Sequence, residues 1–149
     1  MPAVHPDSLE VRASGMDTTG EGVFVLNSVE KGDIICEYLG TLISVPLSMT
    51  KALWPPKVED ITPSGNFSFF FQTLDGRGWC IDANNSSGPG RKINHSKKDP
   101  NVKPVVFQDN GVPRLFFKAF RNIDGGEELR YDYGEEDIEA LKCHTWLND

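Results

Sequence analysis

Past its first eight residues the chain is a succession of apolar runs of strand length, separated by Gly, Pro, Asn and Asp. The runs are GVFVLNS, DIICEYLGTLIS, FSFFFQTL, GWCIDA, VKPVVFQ and PRLFFKAF, and all are rich in β-branched or aromatic residues. Between the last two lies DNGVPR, whose Asp-Asn-Gly predicts a tight hairpin turn. Helix signals are few. PLSMTKAL (Pro46–Leu53) suits a short helix stopped by Trp54-Pro55-Pro56. EEDIEAL (Glu135–Leu141) carries acids in its first turn, which suits the helix dipole. From Asn84 to Pro104 runs a long turn-rich stretch, of the kind that is usually functional when it interrupts a compact domain. The expected fold class is mostly β, with several short sheets and two minor helices.

The 149 residues suffice for one domain with a buried core. Residues 1–8, MPAVHPDS, read as a loose arm. No apolar run approaches the roughly 18–20 residues that span a bilayer, and no signal peptide opens the chain, so a soluble protein with no membrane association is expected. The formal net charge is -7, opposite to what phosphate contacts require, so direct nucleic-acid binding is not expected of this chain. Asp124 to Glu139 holds eight acids and only Arg130 as a base. Such a face either steers a basic peptide or is simply solvated. Arg91, Lys92, Lys97, Lys98 and Lys103 form a contrasting basic stretch. The three cysteines, Cys36, Cys80 and Cys143, are too dispersed for a metal cluster or a disulfide framework. Cys36 and Cys80 sit in apolar runs and read as small core residues.

Three places stand out chemically. The chain uses nine Phe but three Tyr, and two of these, Tyr131 and Tyr133, are two residues apart in LRYDYGEED. On a strand both would project to one face, either as paired hydroxyls for a polar group or as ordinary half-buried side chains. In GRKINHS, Asn94 and His95 bring an amide and an imidazole together; His95 is the candidate functional histidine, though a structural hydrogen bond is the alternative. In TTGEGVF, Gly20 and Gly22 flank one residue just before a strand, either as a simple turn or to let backbone approach a ligand.

Taken in order, GEGVF, EYLG, RKINHS and GEELRYDYG resemble the motif series of the SET-domain protein lysine methyltransferases. The resemblance runs from about Leu9 to the C-terminus. FFFQTLDGRGWCIDA, DNGVPRLFFKAFRNI and IEALKCHTWLND are most similar to the branch that monomethylates a lysine in the tail of histone four. This implies a SET domain over 9–134, with a knot-like crossing, and a C-terminal helix and tail over 135–149 completing the cofactor site. In that branch a short helix bearing a Trp replaces the cysteine-rich element found elsewhere in the family.

The resemblance implies S-adenosylmethionine as cofactor and no metal. Thr19, Gly20 and Glu21 would hold the methionine portion through backbone groups, and Phe67 would lie against the cofactor. Asn94 and His95 would bind it at the crossing, and Trp146 would stack on the adenine. Tyr133 would be the catalytic tyrosine, with its hydroxyl near the transferred methyl. It would act by orientation and electrostatics, since a phenol with a pKa near 10 is a poor base at neutral pH. Tyr38 would hydrogen-bond the substrate amine, and Tyr131 would limit the product to monomethyllysine. The substrate would be a basic histone-tail or other lysine-containing peptide, the protein a monomer and its location nuclear. A SET-like module that binds peptide or cofactor without catalysis is the alternative. Three positions depart from the pattern: Glu21 replaces a basic residue, Lys92 an apolar one and Phe67 a Tyr. The charge of Glu21 beside the cofactor carboxylate is expected to lower affinity.

Overall fold

Alternation along the phenylalanine-rich runs decides which residues turn inward. The computed structural model describes residues 8–15, 20–52, 54–56, 61, 67–86, 88–96, 98–132 and 139–141. In β5 (Ser68–Gln72) Phe69 and Phe71 are buried and Phe70 between them is only partly so, the period-two pattern of a half-covered strand. Its partner β6 (Gly78–Asp82) lies between β5 and β4 (Thr41–Val45) and buries Gly78 through Ile81 without alternating. A central strand covered on both faces reads that way.

The second large sheet is built on the predicted hairpin. β8 (Val102–Asp109) and β9 (Val112–Ala119) pair antiparallel, with Asp109 opposite Val112. Asn110 and Gly111 make the turn at φ 52° and 82°, the left-handed conformation that this dipeptide supplies. β3 (Ile34–Glu37) pairs with β9 on the outer side. The run DIICEYLGTLIS is thus two strands, broken at Tyr38–Gly40 and assigned to different sheets. Val106, Leu115 and Phe117 join the main core with Val23, Ile35, Phe69 and Leu129, while Ile34, Val105, Phe107 and Phe116 pack on the opposite face. Full burial of side chains such as Phe71, Phe107 and Phe117 contributes about 1.5–3 kcal/mol each.

α1 (Leu47–Ala52) is the helix predicted before Trp54-Pro55-Pro56. Of the second predicted helix, Glu135–Leu141, positions 135–138 lie outside the described residues, and its last three residues are not helical. Glu139–Leu141 form a strand, β11, parallel to Val105–Phe107 at the edge of β8. The open edge of β8 offers these three residues ready backbone partners. The stretch from Asn84 to Pro104 is also more ordered than a long loop. It holds a 3-10 helix at Gly90–Lys92, the two-residue β7 (Asn94–His95) and the start of β8. β7 pairs parallel with β10 (Arg130–Tyr131), bringing Asn94 opposite Arg130 and His95 opposite Tyr131.

At the N-terminal side β1 (Leu9–Ala13) pairs antiparallel with β2 (Glu21–Val25). Cys36 and Cys80 are buried as expected; burial, helped by Glu37, pushes the Cys36 thiol up to about 12. Cys143 lies outside the described residues. No helix among the described residues is long and apolar enough to cross a membrane.

Candidate active site

The β7–β10 pair is where the predicted site residues gather. Asn94 is partly buried, and its amide nitrogen donates to the carbonyl of Glu21 at 3.0 Å and to Glu128 Oε2 at 3.0 Å. Facing two acceptors fixes the amide's orientation, because the reverse would set its oxygen against two oxygens. The side-chain oxygen of Asn94 is therefore turned the other way, as an acceptor.

Glu128 itself is only 6% exposed. Its carboxylate accepts from the Ser14 hydroxyl at 2.8 and 3.0 Å and from the Gly15 N–H at 3.1 Å, besides Asn94. Burial of a carboxylate is tolerated when such donors surround it. Gly22 is required by this contact: a methyl group there would overlap the Glu128 carboxylate and lie 3.1 Å from the Asn94 amide. The G-x-G signal is thus one of close approach at Gly22. At Gly20, φ of 119° calls for glycine, and its carbonyl accepts from the Ser14 N–H at 3.0 Å.

Glu21 begins β2, and its exposed side chain meets Lys92 Nζ at 2.6 Å. The two departures from the family pattern at these positions are therefore one ion pair. The negative charge of Glu21, expected to lower cofactor affinity, is paired with the ammonium of Lys92.

Tyr38 and Tyr131 converge on a shared aromatic floor. Tyr38 is buried, edge-on to Phe69 at 5.4 Å and Phe117 at 6.3 Å between ring centres. Tyr131 is partly buried over the same two rings, at 5.9 and 5.2 Å. The His95 ring stands edge-on to Tyr131 at 6.2 Å, with its own side chain exposed. Phe67 is held separately. Its N–H donates to Asn84 Oδ1 at 3.3 Å, and the Arg91 guanidinium lies 4.7 Å from its ring centre. Arg91 also donates to the carbonyls of Ala83 and Asn84. Thr19, Tyr133 and Trp146 lie outside the described residues.

Sequence reasoning passed over three residues that build this arrangement. In the sequence Glu128 belongs to an acidic face, although adjacent acids before an apolar residue and a Tyr in GEELRY hint at one turned inward. Arg91 was grouped with a basic stretch but clamps the turn beneath Phe67. Asn101, fully buried, donates to the Glu128 carbonyl at 2.9 Å and accepts from the Arg130 N–H at 2.8 Å, which pins β10 in place. Beside it, Glu127 titrates below the usual carboxylate range. Partial burial opposes that shift, but hydrogen bonds from Arg121 and from the Asp124 N–H outweigh it.

A family model described as SET domain matches residues 20–134. The chain belongs to the SET-domain family. The expected mostly β SET fold is accordingly the one observed. Among relatives of this SET domain, the histone-lysine N-methyltransferase set-1 of Caenorhabditis elegans is 36% identical over 129 residues, covering 86% of this chain and 52% of the relative. A crystal structure of CpSET8 from Cryptosporidium superposes with a TM-score of 0.69 at 34% identity, covering 87% of this chain and 59% of that one. Polycomb repressive complex 2 of Chaetomium thermophilum, in an autoinhibited conformation bound to S-adenosylmethionine, gives a TM-score of 0.65 at 28% identity, over 90% of this chain and 16% of that one. The chain spans about half or less of the length of the curated relatives it matches first.

Proposed function

We propose that this SET domain is an S-adenosylmethionine-dependent protein lysine N-methyltransferase that adds one methyl group to a lysine of a basic peptide, a histone-four tail in the first instance. The observation that carries this is the convergence of Tyr38 and Tyr131 on Phe69 and Phe117, next to an Asn94 whose amide is locked by Glu128. The names of set-1 and CpSET8 and the cofactor in the Chaetomium structure support it.

The donor set fits the cofactor. The open backbone at Gly20, the Asn94 oxygen and the Lys92 ammonium suit an amino-acid end carrying both charges. When bound, S-adenosylmethionine supplies a sulfonium methyl group to an attacking amine, whose nitrogen forms the new C–N bond as the C–S bond breaks. The chain's own task is to present that amine neutral and aligned. A lysine has a pKa of about 10.4 in water, and an aromatic surround of Tyr38, Phe69, Phe117 and Tyr131 disfavours its charged form. Tyr38 hydrogen-bonds the amine and Tyr131 restricts space for a second methyl. By the resemblance, Tyr133 orients the reacting groups, Trp146 covers the adenine, and Thr19, Gly20, Glu21, Phe67, Asn94 and His95 hold the cofactor. Alignment supplies most of the rate. The formal charge of -7 favours a basic partner. A histone substrate places the protein in the nucleus.

Incubation with S-adenosylmethionine and a histone-four tail peptide, read by mass spectrometry, tests this. One added methyl group on one lysine is the expected product. Cofactor binding without product on any histone peptide would assign the chain instead to non-catalytic modules.

A further inference from the structure

Glu21 holds two side chains at once. Its carboxylate takes Lys92 Nζ at 2.6 Å, and its carbonyl takes the Asn94 amide at 3.0 Å. Lys92 sits at the end of the 3-10 helix Gly90–Lys92, with a side chain 27% exposed, while that of Glu21 is 53% exposed. An ion pair this open contributes little to stability. Among the described residues Glu21 is the one acceptor bonded to Lys92, which leaves two of the ammonium's three N–H donors. Beside it the backbone at Gly20 is uncrowded, with none of the described residues within 4 Å of where a Cβ would stand. A cation and the outward-turned oxygen of Asn94, both tethered to Glu21, together match the carboxylate and ammonium of a free α-amino acid group.

We infer that Lys92, oriented by Glu21, is the cation that binds the α-carboxylate of the cofactor's methionine end. Glu21 is a positioning residue, and its charge is spent on holding the lysine rather than on repelling the ligand. The inference rests on the cofactor reading above and adds to it the residue that discriminates an intact amino-acid end.

Calorimetric titration of the whole chain with S-adenosylmethionine and with its decarboxylated analogue tests it. The wild-type protein should bind the intact cofactor more tightly than the analogue. Lys92→Met should weaken the intact cofactor about tenfold, the scale of one lost charged hydrogen bond, and leave the analogue unchanged. Lys92→Arg should retain most of the preference, and Glu21→Gln should lose part of it. Undiminished binding of the analogue also verifies that each variant is folded. Equal losses for both ligands, or no loss for either, would overturn the assignment of Lys92 alone. Wild-type protein that binds neither compound would overturn the cofactor reading and this inference with it.

Discussion

Lys92 Nζ and Glu21 Oε1 lie 2.6 Å apart across 71 residues of sequence, at the two positions where the chain departs in charge from its family's pattern. Each change looks unfavourable alone, and together they cancel. The pair is open to solvent, so Lys92→Met and Glu21→Gln should each shift unfolding free energy by at most about 1 kcal/mol. Urea denaturation measures this, and a larger loss would make the pair a structural element first.

Glu128 is the opposite case. Glu128→Ala removes the acceptor that the Ser14 hydroxyl, the Gly15 N–H and one Asn94 N–H share; Gly15 is exposed and the other two are half-buried. The expected cost is about 1–3 kcal/mol, with cofactor affinity falling as Asn94 loses its orientation. Glu128→Gln keeps one acceptor oxygen and should be milder. Thermal unfolding with and without S-adenosylmethionine separates the two effects.

Tyr131→Phe keeps the ring on Phe69 and Phe117 and removes only the hydroxyl. Under the proposed function the product should shift from monomethyllysine toward dimethyllysine. Mass spectrometry of the peptide product decides; an unchanged product would show that Tyr131 does not set methyl number.

Cys36 gives a pH signature. Its thiol is pushed from 9.0 to about 12, first by burial and then by Glu37. The unfolded chain therefore ionises this thiol at a lower pH than the folded one. Stability from this source is complete below pH 9.0 and is lost as pH rises toward 12. Between those limits the unfolding free energy should fall by about 1.4 kcal/mol per pH unit more in wild type than in Cys36→Ala. Parallel slopes for the two proteins would contradict it.

What the sequence made visible was whatever buries aromatic or β-branched side chains. The runs containing Phe69, Phe71, Phe107 and Phe117 are strands because nothing else hides so much apolar surface, and Asn110-Gly111 names its own turn. β1 escaped notice because all but Leu9 of its five side chains are exposed and three alternate in charge or size rather than in burial. β7 and β10 are two residues long, too short to show any period, yet they carry Asn94, His95 and Tyr131. Glu139–Leu141 looked helical because local propensity ignores the free edge of β8. Of the site, Tyr38, Tyr131, Asn94 and Glu21 were legible as motif members. The inward turn of Glu128 and the pairing of Glu21 with Lys92 were not, since neither partner is near in sequence.

The bond from Ser14 to Glu128 joins residues 114 positions apart, and that from Asn94 to Glu21 spans 73. No fragment that lacks either residues 14–21 or residues 94–128 holds both ends of the cradle. The chain must therefore extend past Glu128 before this site can form, and closing a loop that long is costly in entropy. Cofactor bound there draws the chain toward its folded form by mass action and reports that the segments around Ser14 and Glu128 have met.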